Sequence, residues 1–272
     1  MKRIIVPTDF SAAALSATNY ALDMAIALNA EIILFHALYI PVTYTDIPPA
    51  FSPEELQNEV KEKLEDLKQQ LLHKCSHSVS IKTAVAVGTL LNELQILCKQ
   101  LDAYAVVMGS QGASATQYDF FGSHSANTMR YLRWPVITVP QGVKFNSVKK
   151  IGLACDFQNV MDKIPVDEIE RLVKDFKSEL YVINTDKSAV HNPDMIFESG
   201  IFQVMLQDLQ PRYEFITNKD IDEGIMDFCE KNNIDLLIVM PKRHTLLDKL
   251  IHRSHTKQLV LQSHVPVMAL HE

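Results

Sequence analysis

The sequence predicts an α/β protein in which a parallel sheet, flanked by helices on both faces, occurs twice in tandem. Three observations carry this. Short apolar runs alternate with longer amphipathic ones, the pattern of repeated β-α units. The second half repeats the order of the first, in phase at both ends. Apolar residues at 47% and charged residues at 22% are ordinary for a chain that buries a core, yet no uninterrupted apolar run is long enough to span a membrane.

Arg3-Ile4-Ile5-Val6-Pro7 reads as a buried strand, followed by a turn, Thr8-Asp9-Phe10-Ser11, in which Ser11 is an N-cap. Ala12 to Asn29 reads as a helix rich in alanine and leucine, and Glu31 to Ala37 as a second strand. Leu38 to Phe51 carries Pro41, Pro48 and Pro49 and reads as a loop. Ser52-Pro53-Glu54-Glu55 opens the next helix: Ser52 caps, Pro53 suits the first helical position, and Glu55 completes a capping box. Leu56, Val60, Leu64, Leu67 and Leu71 then recur every three or four residues as an apolar stripe on a charged helix. Val79 to Val87 reads as a strand, Leu90 to Gln100 as a helix, Tyr104 to Met108 as a strand, Ser123 to Leu132 as a helix and Pro135 to Val139 as a last strand. Five β-α units in a row predict a parallel sheet.

In the second half, Lys150 to Phe157 echoes Arg3 to Phe10, with Asp156 in the place of Asp9. Asp235 to Met240 echoes the strand ending at Met108, Ser254-His255-Thr256 echoes Ser123-His124-Ser125, and Val265 to Leu270 echoes Trp134 to Val139. The chain therefore reads as a duplication, with copies at 1–143 and 148–272 and a boundary near Gln141 to Ser147. The second copy is shorter because its second helix, roughly Asp194 to Leu209, is reduced.

Cys75, Cys98, Cys155 and Cys229 form no CxxC pair, which suits a reducing cytoplasm rather than a disulfide framework. The N-terminus runs straight into a strand and lacks the features of a signal peptide, so a cytoplasmic location is expected. A net charge of −7 without a Lys/Arg run argues against nucleic acid as a partner, and the missing span argues against a membrane. His252 and His255 lie three apart on an expected helix with His244 nearby, but no Cys or carboxylate completes a zinc spacing, and surface histidines are the expectation. Cys98 and Cys229 read as buried core thiols, and Trp134 as packed in the core or between the copies. No P-loop, HExxH or GxSxG pattern occurs, and nothing sets a general base beside a nucleophile, so no catalytic residue is assigned.

The chain holds only eight glycines, and Gly109, Gly112 and Gly122 fall in one short stretch. Gly109 follows a strand and Gly122-Ser123 opens a helix. A helix N-terminus offers unpaired N–H groups and the positive end of the dipole, and glycine lets a phosphate approach them. In an open parallel sheet, ligands sit beyond the carboxyl ends of the strands, where strand order reverses. The spacing suggests phosphate binding; a turn that needs glycine for backbone reasons alone is the alternative.

Pro7-Thr8-Asp9, Gly109-x2-Gly112-x9-Gly122-Ser123 and the closing Pro135 to Pro140 together resemble the universal stress protein family. The resemblance covers nearly all of residues 1–140, and 148–271 is similar to a second, diverged copy. It implies two tandem five-stranded parallel sheets of order 3-2-1-4-5, Rossmann-like and of the adenine nucleotide alpha hydrolase type. It also implies ATP, with AMP or ADP as alternatives and Mg²⁺ as an allowed companion ion. By the resemblance, Asp9 contacts the adenine end of the nucleotide, Pro7 and Thr8 belong to the same binding site, and the backbone around Ala37 lies beside the base. Met108 and Gly109 line the ribose and phosphates, while Gly112, Gly122, Ser123 and Ser125 hold the phosphates. Gln111 stands at an often basic position and gives up one charge-assisted phosphate contact. His124 replaces a residue that is usually small and apolar; it reaches phosphate or points away.

The second copy departs from the pattern. Pro241-Lys242-Arg243-His244 replaces Gly109 to Gly112, and Arg253 replaces Gly122, so side chains fill the space a phosphate needs. The expected function is a stress-linked regulator that binds an adenine nucleotide in its first copy. A weak nucleotide hydrolase and a ligand-sensing module that uses no nucleotide are the rivals. The resemblance further implies pairing of domains through the last strand, hence an internal pseudo-dimer of the two copies, with a homodimer as a further step.

Overall fold

The computed structural model describes residues 1–39, 52–110, 123–155, 164–184, 193–216, 218, 220–241 and 263–271. Within them the chain runs β1 (Arg3–Pro7), α1 (Ala12–Leu28), β2 (Glu31–Leu38), α2 (Pro53–Lys74), β3 (Ile81–Val87), α3 (Leu90–Leu101), β4 (Ala105–Gly109), α4 (Ser123–Tyr131) and β5 (Val136–Val139). It continues as β6 (Lys150–Ala154), α5 (Val166–Phe176), β7 (Glu179–Asn184), α6 (Pro193–Met205), a 3₁₀ turn (Gln207–Leu209), β8 (Arg212–Phe215), α7 (Ile221–Asn232), β9 (Leu236–Val239) and β10 (Val267–Ala269).

Local chemistry sets these elements. The Ser11 hydroxyl accepts the Ala14 N–H at 3.2 Å, capping α1, and Asn29 closes the helix in the left-handed conformation. Ser52 and Glu55 form both hydrogen bonds of a capping box at the start of α2. Val60, Leu64, Leu67 and Leu71 on that helix are buried, while Leu56, at its first turn, is only half-buried. The reduced second helix of the second half is borne out: α6 has 13 residues against 22 in α2.

The sheet corrects one expectation. The chain does not form two separate five-stranded sheets; it forms one sheet of ten strands, ordered β3-β2-β1-β4-β5-β10-β9-β6-β7-β8. Each half keeps the order 3-2-1-4-5, and every pairing within a half is parallel. The halves join where β5 and β10 run antiparallel, with Val136 opposite Ala269, Ile137 opposite Met268 and Thr138 opposite Val267. The physical reason is edge pairing. β5 and β10 would each end a sheet with an open row of N–H and C=O groups, and each closes the other.

Helices cover both faces over two apolar layers. One layer contains Ile4, Leu34, Leu64, Val107, Leu153, Val182 and Phe202; the other contains Ile5, Ile33, Leu94, Met108, Val136, Ile225 and Leu237. Both run across the seam. Phe145, in the segment joining the halves, lies edge-on to Tyr20 at 5.2 Å and tilted against Phe176 at 6.3 Å. The connecting segment is thus part of the core, with Phe145 and Val148 both buried. Tyr104 donates its hydroxyl to Asp175 at 2.8 Å, Lys2 pairs with the same carboxylate at 2.7 Å, and the Arg171 guanidinium stacks over the Tyr104 ring at 4.9 Å. Burial first, and the Asp175 contact second, push the Tyr104 hydroxyl well above the usual tyrosine range.

All four cysteines are buried, as expected of Cys98 and Cys229, and burial pushes both of those thiols up to about 12. Among the described residues no group of His, Cys, Asp or Glu could hold a metal ion; His244, His252 and His255 lie outside them. No helix among the described residues is long and apolar enough to cross a membrane.

Candidate functional site

β1 pairs with β2 on one side and with β4 on the other, both parallel. From β1 the chain moves outward to β2 and β3, then returns across β1 to β4 and β5. Strand order therefore reverses between β1 and β4, and it is beyond the carboxyl ends of strands at such a reversal that open α/β sheets form a crevice for ligands.

Pro7 ends β1 and is buried, as is Thr8. The Thr8 N–H donates to the Phe35 carbonyl at 2.9 Å, continuing the β1–β2 ladder one residue beyond the strand. Asp9 is exposed at the mouth, and its Oδ1 accepts the Ser11 N–H at 3.0 Å, so the carboxylate also holds the turn into α1. Ala37, two residues beyond Phe35 on β2, is half-buried.

Met108 and Gly109 end β4 and are buried with Ser110, whose N–H donates to Val139 at 3.0 Å. Ser123 begins α4, His124 is exposed, and Ser125 is buried. The Ser125 hydroxyl donates to the Gly109 carbonyl at 2.9 Å and binds the first turn of α4 to the end of β4. Its proton is committed there, which leaves the first-turn N–H groups of α4 as the helix's own donors. One turn further on, Thr128 Oγ1 is buried with no hydrogen-bond partner. Gln111, Gly112 and Gly122 lie outside the described residues, as do Asp156, Lys242, Arg243 and Arg253. The structure thus sets Pro7, at the end of β1, and Thr8 and Asp9, which follow it, beside the strand that Met108 and Gly109 end, with Ser125 of α4 bonded to Gly109.

Two residues that sequence reasoning passed over shape this mouth. His36 sets Nδ1 at 2.7 Å from the Thr8 carbonyl, and because a carbonyl only accepts, Nδ1 carries the proton. The same ring stacks on Phe10 at 5.4 Å, and Phe10 takes the left-handed conformation with φ +62°. The pair fixes the backbone on either side of Asp9. The contact spans 28 positions, so no local signal announces it.

α4 is held at its other end from across the seam. His271, which follows β10, places Nε2 at 2.8 Å from the Met129 carbonyl in the last turn of α4, and both residues are buried. A cavity of about 200 Å³ opens nearby at the amino ends of β4 and β5, lined by Trp134, Arg133, Arg171 and His271 among others. It lies at the opposite end of these strands from Gly109. Trp134 therefore packs between the halves, as expected.

Comparison with known proteins agrees with this architecture. The sequence matches the Universal stress protein family over residues 1–140 and 207–271. A curated universal stress protein of Methanocaldococcus jannaschii is 25% identical over 146 residues, which is 53% of this chain and 84% of that one. Among solved structures, a universal stress protein from Archaeoglobus fulgidus superposes with a TM-score of 0.72 at 18% identity, covering 98% of this chain and 95% of the other. A functionally unknown protein from Pseudomonas aeruginosa superposes with a TM-score of 0.59 at 13% identity, covering 99% and 92%. At those identities the structures speak for the fold, and the matched segments, which take in strands of both halves of the sheet, speak for descent: the chain belongs to the universal stress protein family.

Proposed function

We propose that the first half of the chain, residues 1–143, binds ATP or a related adenine nucleotide and acts as a regulator rather than a metabolic enzyme. The observation that carries this reading is the reversal of strand order between β1 and β4, with exposed Asp9 shortly after one strand and Gly109 at the end of the other. Ser125 supports it by fixing the first turn of α4 beside Gly109.

The donor chemistry fits such a ligand. Asp9 accepts from the adenine or ribose end, beside Pro7 and Thr8, and the backbone at Ala37 flanks the base. Met108 and Gly109 border the ribose and the first phosphate. The N–H groups of Ser123, His124 and Ser125 meet the phosphates at the positive end of the α4 dipole. Gly112 and Gly122 leave room for the phosphate chain, and uncharged Gln111 favours modest affinity over a tight triphosphate clamp. Mg²⁺, when present, would neutralise phosphate charge.

The second half, residues 148–272, has no such site in this reading. Pro241 comes after β9 near the place that Gly109, the last residue of β4, holds in the first half, and proline offers no N–H. Its part is structural: β10 closes the β5 edge and His271 holds α4.

Native mass spectrometry of the purified chain tests the reading. One adenine nucleotide per chain supports it. Apo protein that shows no thermal shift with ATP, ADP or AMP overturns it.

A further inference from the structure

The antiparallel seam relates the two halves by a pseudo-twofold and so creates two equivalent corners. Each is built from the residues before the fourth and fifth strands of one half, the first helix of the other half, and the chain that follows that half's last strand. The corners are filled differently. In one, Phe145 of the connecting segment is buried edge-on to Tyr20 at 5.2 Å, and Ile234 and Val265 close in, leaving about 140 Å³. The other is the cavity of about 200 Å³ beside Trp134. Counted back from the helix C-caps Asn29 and Lys177, Glu168 stands here where Tyr20 stands there. Strand register puts Ala103 in the place of Ile234 and Trp134 in the place of Val265. An aromatic plug is thus replaced by charge and space. Asp102, Arg133, Glu168 and Arg171 all line the cavity, and among the described residues none of the four forms an ion pair.

We infer that this cavity binds a free α-amino acid with an apolar side chain. Arg171 takes the carboxylate. Its guanidinium lies over the Tyr104 ring at 4.9 Å, which sets the plane of the fork and leaves the N–H edge for a paired contact. Arg133 adds a second positive charge. Glu168, one turn before Arg171 on α5, takes the ammonium together with Asp102. Trp134, Pro135 and Leu270 receive the side chain, which does here what Phe145 does in the counterpart corner. Charge selects the class. Two guanidiniums against two carboxylates match a zwitterion, whereas a phosphate or a simple carboxylate leaves the acids facing it unpaired. Size agrees: about 200 Å³ is the bulk volume of roughly seven waters, room for a solute of about ten heavy atoms and too little for a nucleotide. The cavity lies at the other end of β4 from Gly109, so this site is separate from the proposed nucleotide site.

Trp134 is the single tryptophan of the chain, so its fluorescence reports occupancy directly. Titrating L-leucine and L-phenylalanine into the full chain, with excitation selective for tryptophan, should give a saturable change with a Kd between ~10 µM and ~1 mM. Phenylpropionate, which lacks the ammonium, and phenethylamine, which lacks the carboxylate, should each bind at least ~10-fold more weakly than L-phenylalanine. Glu168→Gln and Arg171→Lys should each weaken the amino acid at least ~10-fold, the first with melting temperature nearly unchanged because Glu168 pairs with nothing among the described residues. No saturable response to either amino acid, phenylpropionate binding as tightly as L-phenylalanine, or wild-type affinity in Glu168→Gln would overturn the inference.

Discussion

The Ser125 hydroxyl donates to the Gly109 carbonyl at 2.9 Å, so the end of β4 and the first turn of α4 move as one piece. Both groups are buried, and removing the donor leaves the carbonyl unsatisfied. Ser125→Ala should cost about 1–3 kcal/mol in urea unfolding and should weaken ATP binding at the same time. A loss of stability with unchanged ATP affinity would separate this contact from the site.

Asp9 holds a turn and, in the proposed function, also meets nucleotide. Asp9→Asn separates the two roles, because the amide oxygen still accepts the Ser11 N–H while the charge is gone. Isothermal titration should show ATP affinity falling about tenfold with the melting temperature nearly constant, the loss expected when one charge-assisted hydrogen bond becomes neutral. Equal affinity in both proteins would remove Asp9 from the site.

Met268 faces Ile137 across the antiparallel seam, and both are fully or almost fully buried. Met268→Ala should cost about 2–5 kcal/mol, the usual range for emptying a core position. Since apolar layers and Phe145 cross the seam, tryptophan fluorescence (Trp134, first half) and far-UV circular dichroism should report one coincident unfolding transition in the wild type. Two separated transitions would mean that the halves fold independently.

Glu31 is buried at the start of β2. Burial alone would raise its carboxyl pKa, but hydrogen bonds from Lys82 and Ser80, with the charges of Lys82 and Arg3, outweigh that and hold it below its ordinary 4.5. A carboxyl lowered in the folded state contributes stability that is fully present above pH 4.5 and is lost as pH falls through the folded value. Glu31→Gln should therefore reduce stability at pH 7 and flatten its fall below pH 4.5. A variant whose acid limb matched that of the wild type would contradict this assignment.

Much of the fold was legible because it is written locally. Ser11, Ser52 with Glu55, and the Val60-Leu64-Leu67-Leu71 stripe each carry their meaning within a few residues, and the structure keeps all three. The joining of the halves through their last strands was implied by the family resemblance alone and was not legible in the residues themselves. An apolar run such as Val136–Val139 looks alike whether it ends a sheet or pairs antiparallel with Val267–Ala269 from the far end of the chain. The candidate site was legible where strand ends carry unusual residues, Asp9 and Gly109, and opaque where its geometry depends on distant contacts. His36 against Thr8 and His271 against Met129 are 28 and 142 positions apart, and nothing in the residues around them signals the pairing.

The central claim, that the glycine-bearing crossing after β4 holds the phosphates of an adenine nucleotide, is tested most directly by titrating ATP into wild-type protein and a Gly122→Val variant of equal thermal stability. The expected result is saturable binding of one ATP per wild-type chain and at least a ~100-fold weaker affinity in the variant, since a branched side chain would stand where a phosphate approaches backbone N–H groups. Equal ATP affinity in the two proteins would contradict the claim.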